Sequence, residues 1–379
     1  MNVWLIEPYF TGSHEAWARG YREHSRHAVR LLTLPGHFWK WRMQGGALTL
    51  ARQAQALGET PDLILATSML NLPVFLAFAG RRFAHVPLVF YFHENQLTYP
   101  LRPREKQDLG YGFINLVSAL RADRVCFNSA YHRDSFLDEL PRLLKHYPDY
   151  TELWTAEALM ARSQVLPLGL DLARLDRFQP IEPRRGRPLI LWNHRWEYDK
   201  DPETFFRALY TLADEGLDFG VLLLGENLRQ EPREFLEARQ RLGNRIVHYG
   251  YAPDLATYGR LLWQADIVVS TAIHDFFGAA VVEACYCGCF PVLPRRLSYP
   301  ELIPGEWHEV CLYNGWRGLL ARLRQALTGR PEGAAESLRQ QMAGYDWQKM
   351  APLYDDLLDQ VAAAPLSDGP MALADVPVD

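Results

Sequence analysis

The sequence of 379 residues has few cysteines, no long apolar run and no large excess of charge. Its five cysteines are too few, and odd in number, for the disulfide framework of a secreted protein. No apolar run approaches the roughly 20 residues that span a bilayer. The first residues, 1–8, lack the basic segment and long apolar core of a signal peptide, and they predict a first strand. We therefore expect a cytoplasmic protein without a membrane partner.

Three of the cysteines lie together in the run Cys285-Tyr286-Cys287-Gly288-Cys289. No cysteine or histidine pair at zinc-ligand spacing lies nearby to complete four ligands. The run therefore predicts small side chains packed at the end of a helix, and a metal site is the alternative.

Length and composition predict a globular protein of two domains. Hydrophobic residues make up 48% and charged residues 22%, as in globular proteins, and the chain exceeds the size of one ordinary core. The net charge of −5 divides into +3 over residues 1–170 and −8 over residues 171–379. A polyanionic partner would favour the first half, although +3 is also ordinary variation of a protein surface.

Apolar runs of strand length alternate with helix-length segments in both halves. Their hydrophobicity is continuous, which is typical of strands buried on both faces of a parallel sheet. The predicted strands are residues 3–8, 29–34, 62–68, 87–93, 124–128, 164–168, 188–193, 219–225, 245–249, 267–271 and 290–293. This alternation predicts an α/β protein with two doubly wound, Rossmann-like domains that face each other across a cleft.

The Pro- and Arg-rich residues 179–188 have no apolar period and predict a linker. We expect an N-terminal domain over residues 1–172 and a C-terminal domain over residues 187–361. Residues 362–379 are rich in Ala, Pro and Asp and predict a disordered tail. Because doubly wound sheets bind ligands outside the carboxyl ends of their strands, functional motifs should follow strands.

One such motif runs from His274 to Glu283, after a predicted strand and into a helix. Gly278 would let a ligand approach the backbone, and the N–H groups of a first helical turn favour a phosphate. A carboxylate beside a diphosphate is repelled, so Asp275 and Glu283 more plausibly accept hydrogen bonds from sugar hydroxyls. On spacing alone, a helix with an Asp cap and a solvated Glu explains the run at least as well.

Two cations close the first strand of the second domain. Arg195 offers a planar fork and Lys200 a mobile point charge, so the pair could clamp two phosphates. They would then offset the charge of the leaving group as a glycosyl bond breaks. The alternative is that they pair with Glu197 and Asp199 on a solvated turn, which stabilises a protein little.

These motifs resemble those of the retaining glycosyltransferases of GT-B fold that include sucrose and glycogen synthases. The resemblance rests on Arg195, Lys200, Tyr249-Gly250-Tyr251, Asp275-Phe276-Phe277-Gly278 and Glu283. That family usually shows Glu-Gly-Phe-Gly and a second Glu eight residues after the first. Here Asp275 stands for the first Glu and Phe276 for the Gly.

The sequence is similar in more detail to the tRNA-queuosine mannosyltransferase family, over about residues 1–315. The similar runs are Gly12-Ser13-His14, Trp39-Lys40-Trp41-Arg42, residues 93–100, Phe127-Asn128-Ser129, residues 274–278 and residues 283–289. The run His93-Glu94-Asn95-Gln96-Leu97 is the most specific of them. The resemblance implies that mannose passes from GDP-mannose to the cyclopentenediol of queuosine in a tRNA anticodon, with retention at the anomeric carbon.

The resemblance also implies roles in the donor site. Arg195 and Lys200 would bind the diphosphate, with backbone near Gly278 assisting, while Glu283 would bind the ribose and Asp275 the hexose hydroxyls. The remaining donor-side residues are Tyr249, Gly250 and Tyr251 near the base, with His274, Phe276 and Phe277 beside Asp275.

In the first domain, the resemblance implies that His93 faces the transferred sugar across the cleft. The loop Gly12-Ser13-His14 would lie under the phosphates of the donor or under the acceptor. The acceptor side would include Glu94, Asn95, Gln96, Trp39, Trp41 and Arg42. The two tryptophans could stack on nucleobases. The alternatives are a hydrogen-bonded structural His93 and a partly buried aromatic pair flanked by the stems of Lys40 and Arg42.

A retaining transfer on this fold needs no protein nucleophile, because the incoming hydroxyl attacks from the face that the diphosphate leaves and the phosphate takes the proton. No acidic pair with metal-binding spacing lies near these residues, so we expect metal-independent catalysis with the nucleotide-sugar as co-substrate and no cofactor. Two other functions stay open: transfer to a lipid, polysaccharide or small metabolite, and non-catalytic binding of a nucleotide-sugar or nucleic acid.

Overall fold

The computed structural model describes residues 1–101, 106–182, 186–225 and 231–364. The chain divides into two compact units: unit 1 is Met1–Leu170 together with the segment from Trp347 onward, and unit 2 is Asp171–Asp346. Each unit is built on one six-stranded sheet in which the paired strands run parallel. The predicted α/β class with two parallel sheets is confirmed.

The sheet of unit 1 has the strand order β2-β1-β3-β4-β5-β6. Its strands are β1 Asn2–Phe10, β2 Ala28–Pro35, β3 Leu63–Thr67, β4 Leu88–Phe92, β5 Arg124–Phe127 and β6 Ser163–Val165. Its first seven helices are α1 Gly12–His24, α2 Trp39–Gln44, α3 Gly46–Ala56, α4 Leu72–Ala79, α5 Leu109–Arg121, α6 Ala130–Leu144 and α7 Trp154–Arg162.

Strand β1 shows why this sequence folds as a doubly covered sheet. Successive side chains of a strand point to opposite faces. Accordingly, Val3 and Leu5 pack into the apolar cluster on one face, and Trp4 and Ile6 pack into the cluster on the other. All four side chains are fully buried, as expected for a continuous apolar run.

The sheet of unit 2 has the strand order β12-β11-β10-β7-β8-β9. Its strands are β7 Leu189–Asn193, β8 Gly220–Leu224, β9 Ile246–Gly250, β10 Ile267–Val269, β11 Phe290–Pro294 and β12 Leu312–Tyr313. Its helices are α8 Pro202–Asp214, α9 Arg233–Leu242, α10 Leu255–Gln264, α11 Ala279–Tyr286, α12 Tyr299–Leu302, α13 His308–Cys311, α14 Gly315–Thr328 and α15 Ala334–Ala343.

In each sheet, the direction in which the chain adds strands reverses once, and the predicted site residues follow the strands beside this reversal. In unit 2 the chain moves outward from β7 through β9 and then returns to lay β10 on the other side of β7. In unit 1 the equivalent reversal lies between β1 and β3. Ligands of doubly wound sheets bind at such reversals, outside the carboxyl ends of the strands.

The last helix, α16 Trp347–Ala363, belongs to unit 1, so the predicted C-terminal domain of residues 187–361 is wrong at its end. The side chain of Trp347 lies against Gly20 and Gly169, where an added Cβ would come within 2.0 Å and 2.3 Å of indole atoms. The buried face of the helix joins the cluster that contains Val3 and Leu5. The amphipathic period of α16 predicts a buried face but does not tell which core that face completes.

The predicted linker also differs from the structure. Unit 2 begins at Asp171, and a 3-10 helix at Ala173–Phe178 packs against α10. Trp263 Nε1 donates to the carbonyl of Leu175 at 2.8 Å. Of the predicted linker, residues 183–185 lie outside the described residues, as do residues 365–379 of the predicted tail, whereas residues 362 and 363 are helical. No helix in the described ranges has the length and apolar character needed to cross a bilayer.

Replacing the buried indole should loosen unit 1 and spare unit 2. We expect Trp347→Ala to lower the free energy of unfolding of unit 1 by about 3–5 kcal/mol, because it empties a large core position. Hydrogen exchange of the intact chain measures this as faster exchange of the amides in β1, β3 and β4. The control is Leu353→Ala, whose side chain lies on the same helix and is 53% exposed. Faster exchange in β7 and β10 instead would contradict the assignment of α16 to unit 1.

Candidate functional site

In unit 2, the polar side chains of both predicted donor motifs follow the neighbouring strands β7 and β10. The loop after β7 carries Arg195 and a single 3-10 turn, Tyr198–Lys200, and the loop after β10 carries His274 and Asp275. The backbone joins the two loops, since the N–H of Ile273 donates to the carbonyl of Asp199 at 2.8 Å. The structure therefore brings the two motifs together at the point where the strand order reverses.

Lys200 links the loop after β7 to the loop after β10. Its Nζ donates to the carbonyl of His274 at 2.7 Å and lies 3.3 Å from a carboxylate oxygen of Asp199 and 3.7 Å from one of Asp275. The residue is only 8% exposed, unlike the mobile charge expected from the sequence. The 3-10 turn directs its side chain inward, so Lys200 orients the carboxylate of Asp275.

Arg195 contrasts with Lys200 in its exposure. Its side chain is 48% exposed and lies 3.8 Å from the carboxylate of Glu197. An ion pair at this exposure and distance stabilises the fold little. The guanidinium group is therefore accessible to a diphosphate from the solvent.

Asp275 stays ionised in this environment. Burial raises its pKa. The ammonium group of Lys200, followed by His194 and His274, lowers the pKa by more than burial raises it, so the pKa lies below its ordinary value. The hydroxyl of Tyr299 also donates to Asp275 Oδ2 at 3.2 Å. The result is a fixed carboxylate that can accept hydrogen bonds from sugar hydroxyls.

Two histidines beside Lys200 are neutral near pH 7. Burial and then the charge of Lys200 lower the pKa of His194 to about 4, against the opposing effect of Asp275. The same causes lower the pKa of His274 to about 4. Neither ring adds a positive charge for the donor, whereas Lys200 and Arg195 are both cations.

Gly278 opens helix α11 and is required there for two reasons. Its φ of 92° lies in the left-handed region that favours glycine. An added Cβ would also lie 3.1 Å from the ring of Tyr299 and 3.3 Å from Leu302. The glycine therefore lets the chain turn tightly from Asp275 into the helix that carries Glu283.

Glu283 lies on α11 within a hydrogen-bonded chain of side chains. Asn193 Nδ2 donates to the hydroxyl of Tyr258 at 2.8 Å, and that hydroxyl donates to Glu283 Oε2 at 2.6 Å. Arg174 lies 3.7 Å from Glu283 Oε1. Burial raises the pKa of Glu283, and Tyr258 and Arg174 act in the opposite direction. A solvated glutamate, the alternative left open by the sequence, does not describe this residue.

A cavity of about 490 Å³ adjoins Glu283 in unit 2. Its lining residues are Asn193, Leu224, Gly225, Tyr251, Ala252, Pro253, Asp254, Leu255, Tyr258 and Glu283. The cavity follows the carboxyl ends of β7, β8 and β9, and its size suits a nucleoside.

Some of the other donor-side residues line the cavity, and the rest pack in the interior of unit 2. Tyr251 lines the cavity, whereas the ring of Tyr249 packs 5.0 Å from Trp196 and its hydroxyl donates to Glu231. Gly250 between them has a φ of 116°. The two aromatic residues after Asp275 are buried, with Phe276 against His274 and Phe277 against Tyr345.

In unit 1, His93 follows β4 and lies beside a buried acidic residue that the sequence analysis did not single out. The ring of His93 is 4.5 Å from that of His14 between centroids. His14 Nδ1 lies 2.9 Å from Glu7 Oε2, and His93 Nε2 lies 4.0 Å from the same oxygen. Burial, then His14 and His132, lower the pKa of His93, so its ring is neutral.

The loops that carry His14 and His93 belong to the runs 12–14 and 93–100. Gly12 begins α1 with a φ of 52°, and Ser13 is exposed next to it. Asn95 is buried, and its Oδ1 accepts the N–H groups of Leu97 and Thr98 at 3.0 and 2.8 Å. Asn95 thus shapes the turn after His93.

Neighbouring side chains in the same run are partly exposed. Gln96 Nε2 donates to Glu94 Oε1 at 2.9 Å, and the N–H of Gln96 donates to Asn115 at 2.9 Å. Glu94 and Gln96 therefore remain candidates for contact with the acceptor, whereas the side chain of Asn95 is hydrogen-bonded within its own loop.

Helix α2 separates the two tryptophans of the expected acceptor side. Trp39 packs 5.1 Å from the ring of Tyr111, and Trp41 is 59% exposed. Arg42 Nε donates to the carbonyl of Pro35 at 2.9 Å. Trp39 thus matches the packing alternative, and Trp41 remains free to stack on a ligand.

The cysteine run at the end of α11 packs as predicted. Cys285, Cys287 and Cys289 are buried and form no disulfide. The thiol of Cys289 lies 3.4 Å from the carbonyl of Leu262. Within the described residues, one group of three potential metal ligands converges elsewhere: Glu7, His14 and His93, with ligand atoms within 4.8 Å of one another.

Sequence reasoning missed the supporting residues of both sites. Glu7 lies inside an apolar strand, seven residues before His14. Tyr258 on α10 and Tyr299 on α12 lie 25 and 24 residues from the carboxylates they contact. A charged residue directly after the apolar residues 3–6, within the predicted strand 3–8, was the one available signal for Glu7, because buried charges require partners.

The two units match two families of known sequence. Residues 2–170 match the N-terminal family of tRNA-queuosine alpha-mannosyltransferases, and residues 174–344 match glycosyl transferases group 1. These ranges end within a few residues of the division of the structure at Leu170 and Asp346.

Whole-chain relatives extend these matches. A GDP-mannose-dependent alpha-(1-6)-phosphatidylinositol dimannoside mannosyltransferase of Mycobacterium tuberculosis is 24% identical, with 90% of this chain and 87% of the relative covered. A glycosyltransferase of Rickettsia africae superposes with a TM-score of 0.68 at 14% identity, covering 96% of this chain and 99% of that one. The Anabaena HepE protein, solved with UDP and glucose, superposes with a TM-score of 0.65 at 16% identity, covering 95% and 100%.

The relative that settles the family is the tRNA-queuosine alpha-mannosyltransferase of Drosophila melanogaster. It is 34% identical over 330 residues, which cover 85% of this chain and 86% of the relative. The paired parallel sheets and the structural neighbours give the same fold as the sequence matches. The chain is thus a glycosyltransferase of GT-B fold and belongs to the tRNA-queuosine alpha-mannosyltransferase family.

Proposed function

We propose that this glycosyltransferase transfers mannose from GDP-mannose to queuosine in tRNA, with retention at the anomeric carbon. The observation that carries the proposal is the 34% identity, over most of both chains, to a relative named as a tRNA-queuosine alpha-mannosyltransferase. The match of residues 2–170 to the N-terminal family of the same enzymes supports the choice of acceptor. A tRNA acceptor also fits the cytoplasmic location expected from the sequence.

The cavity beside Glu283 supports a guanosine donor. Guanine presents two adjacent donor groups, N1–H and the 2-amino group, which a carboxylate can accept together. The cavity carries two carboxylates, Glu283 and Asp254. Glu283 is partly buried at the end of the Tyr258 chain and would bind ribose hydroxyls, so the exposed Asp254 would bind the base.

Charge near Asp275 supports binding of the diphosphate and the hexose in adjacent places. Arg195 is exposed enough to form a bidentate contact with phosphate. Lys200 stays with Asp275, and the two together present a cation and a hydrogen-bond acceptor. The acceptor hydroxyl would attack the anomeric carbon from the face of the leaving diphosphate, whose oxygen takes the proton. Arg195 and Lys200 would stabilise the charge that develops on that diphosphate.

Helix α2 supports contact with a nucleic acid. Phe38 and Trp41 are 82% and 59% exposed, and Lys40 and Arg42 lie beside them in the sequence. Exposed aromatic rings next to cations are the side chains that stack on unpaired bases and contact phosphates. The net charge of +3 over residues 1–170 favours unit 1 for this contact.

Transfer is tested directly with GDP-mannose and tRNA from cells with and without queuosine. We expect nucleoside mass spectrometry to find one added hexose on queuosine and none on tRNA that lacks it. UDP-glucose is the comparison donor, and we expect it to be a poor substrate. Failure to add hexose to queuosine, while a lipid or small-molecule acceptor is glycosylated, would instead favour the broader activity of the fold.

Arg195→Ala tests the diphosphate site. We expect kcat/KM to fall about 10²-fold or more, because a charge-stabilising contact at the leaving group is lost. The fold should be unaffected, since the side chain is 48% exposed. Arg241→Ala is the matched control, with a side chain 49% exposed and paired with Glu237. A rate near that of the control would mean that the diphosphate binds elsewhere.

Catalysis should not need a metal ion, because Arg195 and Lys200 would supply the positive charge at the diphosphate. We expect the rate of transfer to stay within about twofold after dialysis against excess chelator. Recovery on addition of Mg²⁺, Mn²⁺ or Zn²⁺ is the accompanying measurement. Near-complete loss that one of these ions reverses would contradict metal independence.

A further inference from the structure

The hydroxyl of Tyr258 is the middle of a chain of hydrogen bonds that joins three elements of unit 2. Tyr258 lies on α10, Asn193 is the last residue of β7, and Glu283 lies on α11. Asn193 Nδ2 donates to the hydroxyl at 2.8 Å, and the hydroxyl donates to Glu283 Oε2 at 2.6 Å. All three residues line the cavity of about 490 Å³, so a ligand in that cavity lies beside the chain.

The direction of the hydrogen bonds in this chain is fixed at both ends. Asn193 Nδ2 also donates to the carbonyl of Ala280 at 3.3 Å, and a carbonyl only accepts, so this side of the amide is its nitrogen. Burial raises the pKa of Tyr258, so the phenol keeps its proton and donates it to Glu283. Because a hydroxyl has a single hydrogen, Tyr258 has none left to donate to a ligand.

The second oxygen of Glu283 is open to a ligand. The side chain of Glu283 is 17% exposed, and within the described part of the chain no hydrogen bond reaches its Oε1. Arg174 lies 3.7 Å from Oε1, which is beyond hydrogen-bond distance. Glu283 thus has one oxygen held by Tyr258 and one that can accept hydrogen bonds from the hydroxyls of a ligand.

Tyr258 is suited to fix the orientation of this carboxylate. A glutamate side chain has several rotatable bonds, and ordering it on binding costs free energy. The phenol ring is rigid, and it lies in the first turns of a helix capped by Asp254, whose Oδ1 accepts the N–H of Thr257 at 2.7 Å. Anchored also by Asn193, the phenol holds Oε2 in place before a ligand binds.

We propose that Tyr258 is a positioning residue that holds Oε2 of Glu283 so that Oε1 accepts the ribose hydroxyls, and that it thereby makes the enzyme prefer ribonucleotides to deoxyribonucleotides. The proposal rests on the proposed function in taking a nucleoside diphosphate sugar as the occupant of the cavity. A purely structural hydrogen bond would stabilise unit 2 and leave the preference for ribose unchanged. Binding of deoxynucleotides therefore distinguishes the two roles.

The central test compares GDP with 2′,3′-dideoxy-GDP in wild-type protein and in Tyr258→Phe, by isothermal titration calorimetry of the full-length chain. We expect wild-type protein to bind GDP about 30-fold more tightly, because hydrogen bonds to a charged oxygen are lost with the hydroxyls. In Tyr258→Phe we expect this ratio to fall to about threefold, through weaker binding of GDP alone. An unchanged ratio of the two dissociation constants would overturn the positioning role.

A double-mutant cycle shows whether Tyr258 acts through Glu283. We expect Glu283→Ala to reduce the preference for GDP over 2′,3′-dideoxy-GDP at least as far as Tyr258→Phe does. In the Glu283→Ala background, Tyr258→Phe should then add no further change, because the group that it positions is gone. Additive effects of the two variants would contradict an action through the carboxylate.

The matched control is Tyr286→Phe, which also removes a hydrogen bond from a tyrosine hydroxyl to a carboxylate. Tyr286 lies on α11 and donates to Asp176 Oδ2 at 3.0 Å, and it is not among the residues that line the cavity. We expect the control to lower stability and to leave both dissociation constants within about twofold of wild type. Loss of the preference in this control as well would mean a general loosening of unit 2, against a specific role of Tyr258.

A second variant keeps the test decisive if Tyr258→Phe does not fold. Asn193→Ala leaves the phenol and Glu283 in place and removes the donor that anchors the hydroxyl. We expect the ratio of dissociation constants to fall about threefold or more, because the phenol is held less firmly against Oε2. A wild-type ratio in this variant would overturn the role of the chain.

The binding series separates this role from the proposed function, since it needs neither the acceptor nor transfer. If the protein shows the expected preference for GDP but does not modify queuosine, the proposed acceptor fails and the role of Tyr258 stands. If UDP binds in place of GDP, the proposed donor fails, and UDP with 2′,3′-dideoxy-UDP tests Tyr258 in the same way. Equal binding of ribonucleotides and dideoxynucleotides by wild-type protein would overturn the role of Tyr258, even if queuosine is modified.

Discussion

The ammonium group of Lys200 is the contact on which the donor side of this enzyme depends. A buried cation must have anionic or carbonyl partners, and Lys200 finds them on the loops after two neighbouring strands. The charge of Lys200 lowers the pKa of Asp275 against the effect of burial, and it adds to burial in keeping His194 and His274 neutral. One buried charge thereby contributes to the protonation of three side chains and joins the loop that leads into α11 to the loop after β7.

The sheets could be predicted from the sequence because their strands are buried on both faces. Residues 124–128, with three apolar side chains in a row, are predicted as a strand, and the structure has β5 at Arg124–Phe127. Helix α16 carries no such information about its partner. Its apolar face would fit either core, and only the space beside Gly20 and Gly169 shows where Trp347 belongs.

The candidate sites were predictable to the extent that their residues follow strands. Arg195, His93 and Asp275 were found in this way, because the carboxyl ends of parallel strands meet at one edge. The supporting side chains were not. Tyr258 reaches Glu283 from α10, and Glu7 reaches His14 from within β1, so each contact joins parts of the chain whose spacing has no fixed pattern. The roles of Asn95 and Tyr249 were likewise hidden until the backbone around them was known.

The return of the chain to unit 1 at Trp347 affects how the protein is made. Unit 2 is inserted between the first 170 residues and the helix that completes their core. During synthesis, part of the apolar face of the first sheet therefore stays uncovered until α16 has been made. The whole of unit 2, Asp171–Asp346, is synthesised before that helix. The second unit has all of its strands by then. The half that is translated first is the half that finishes folding last, and a premature stop after residue 346 would leave it incomplete.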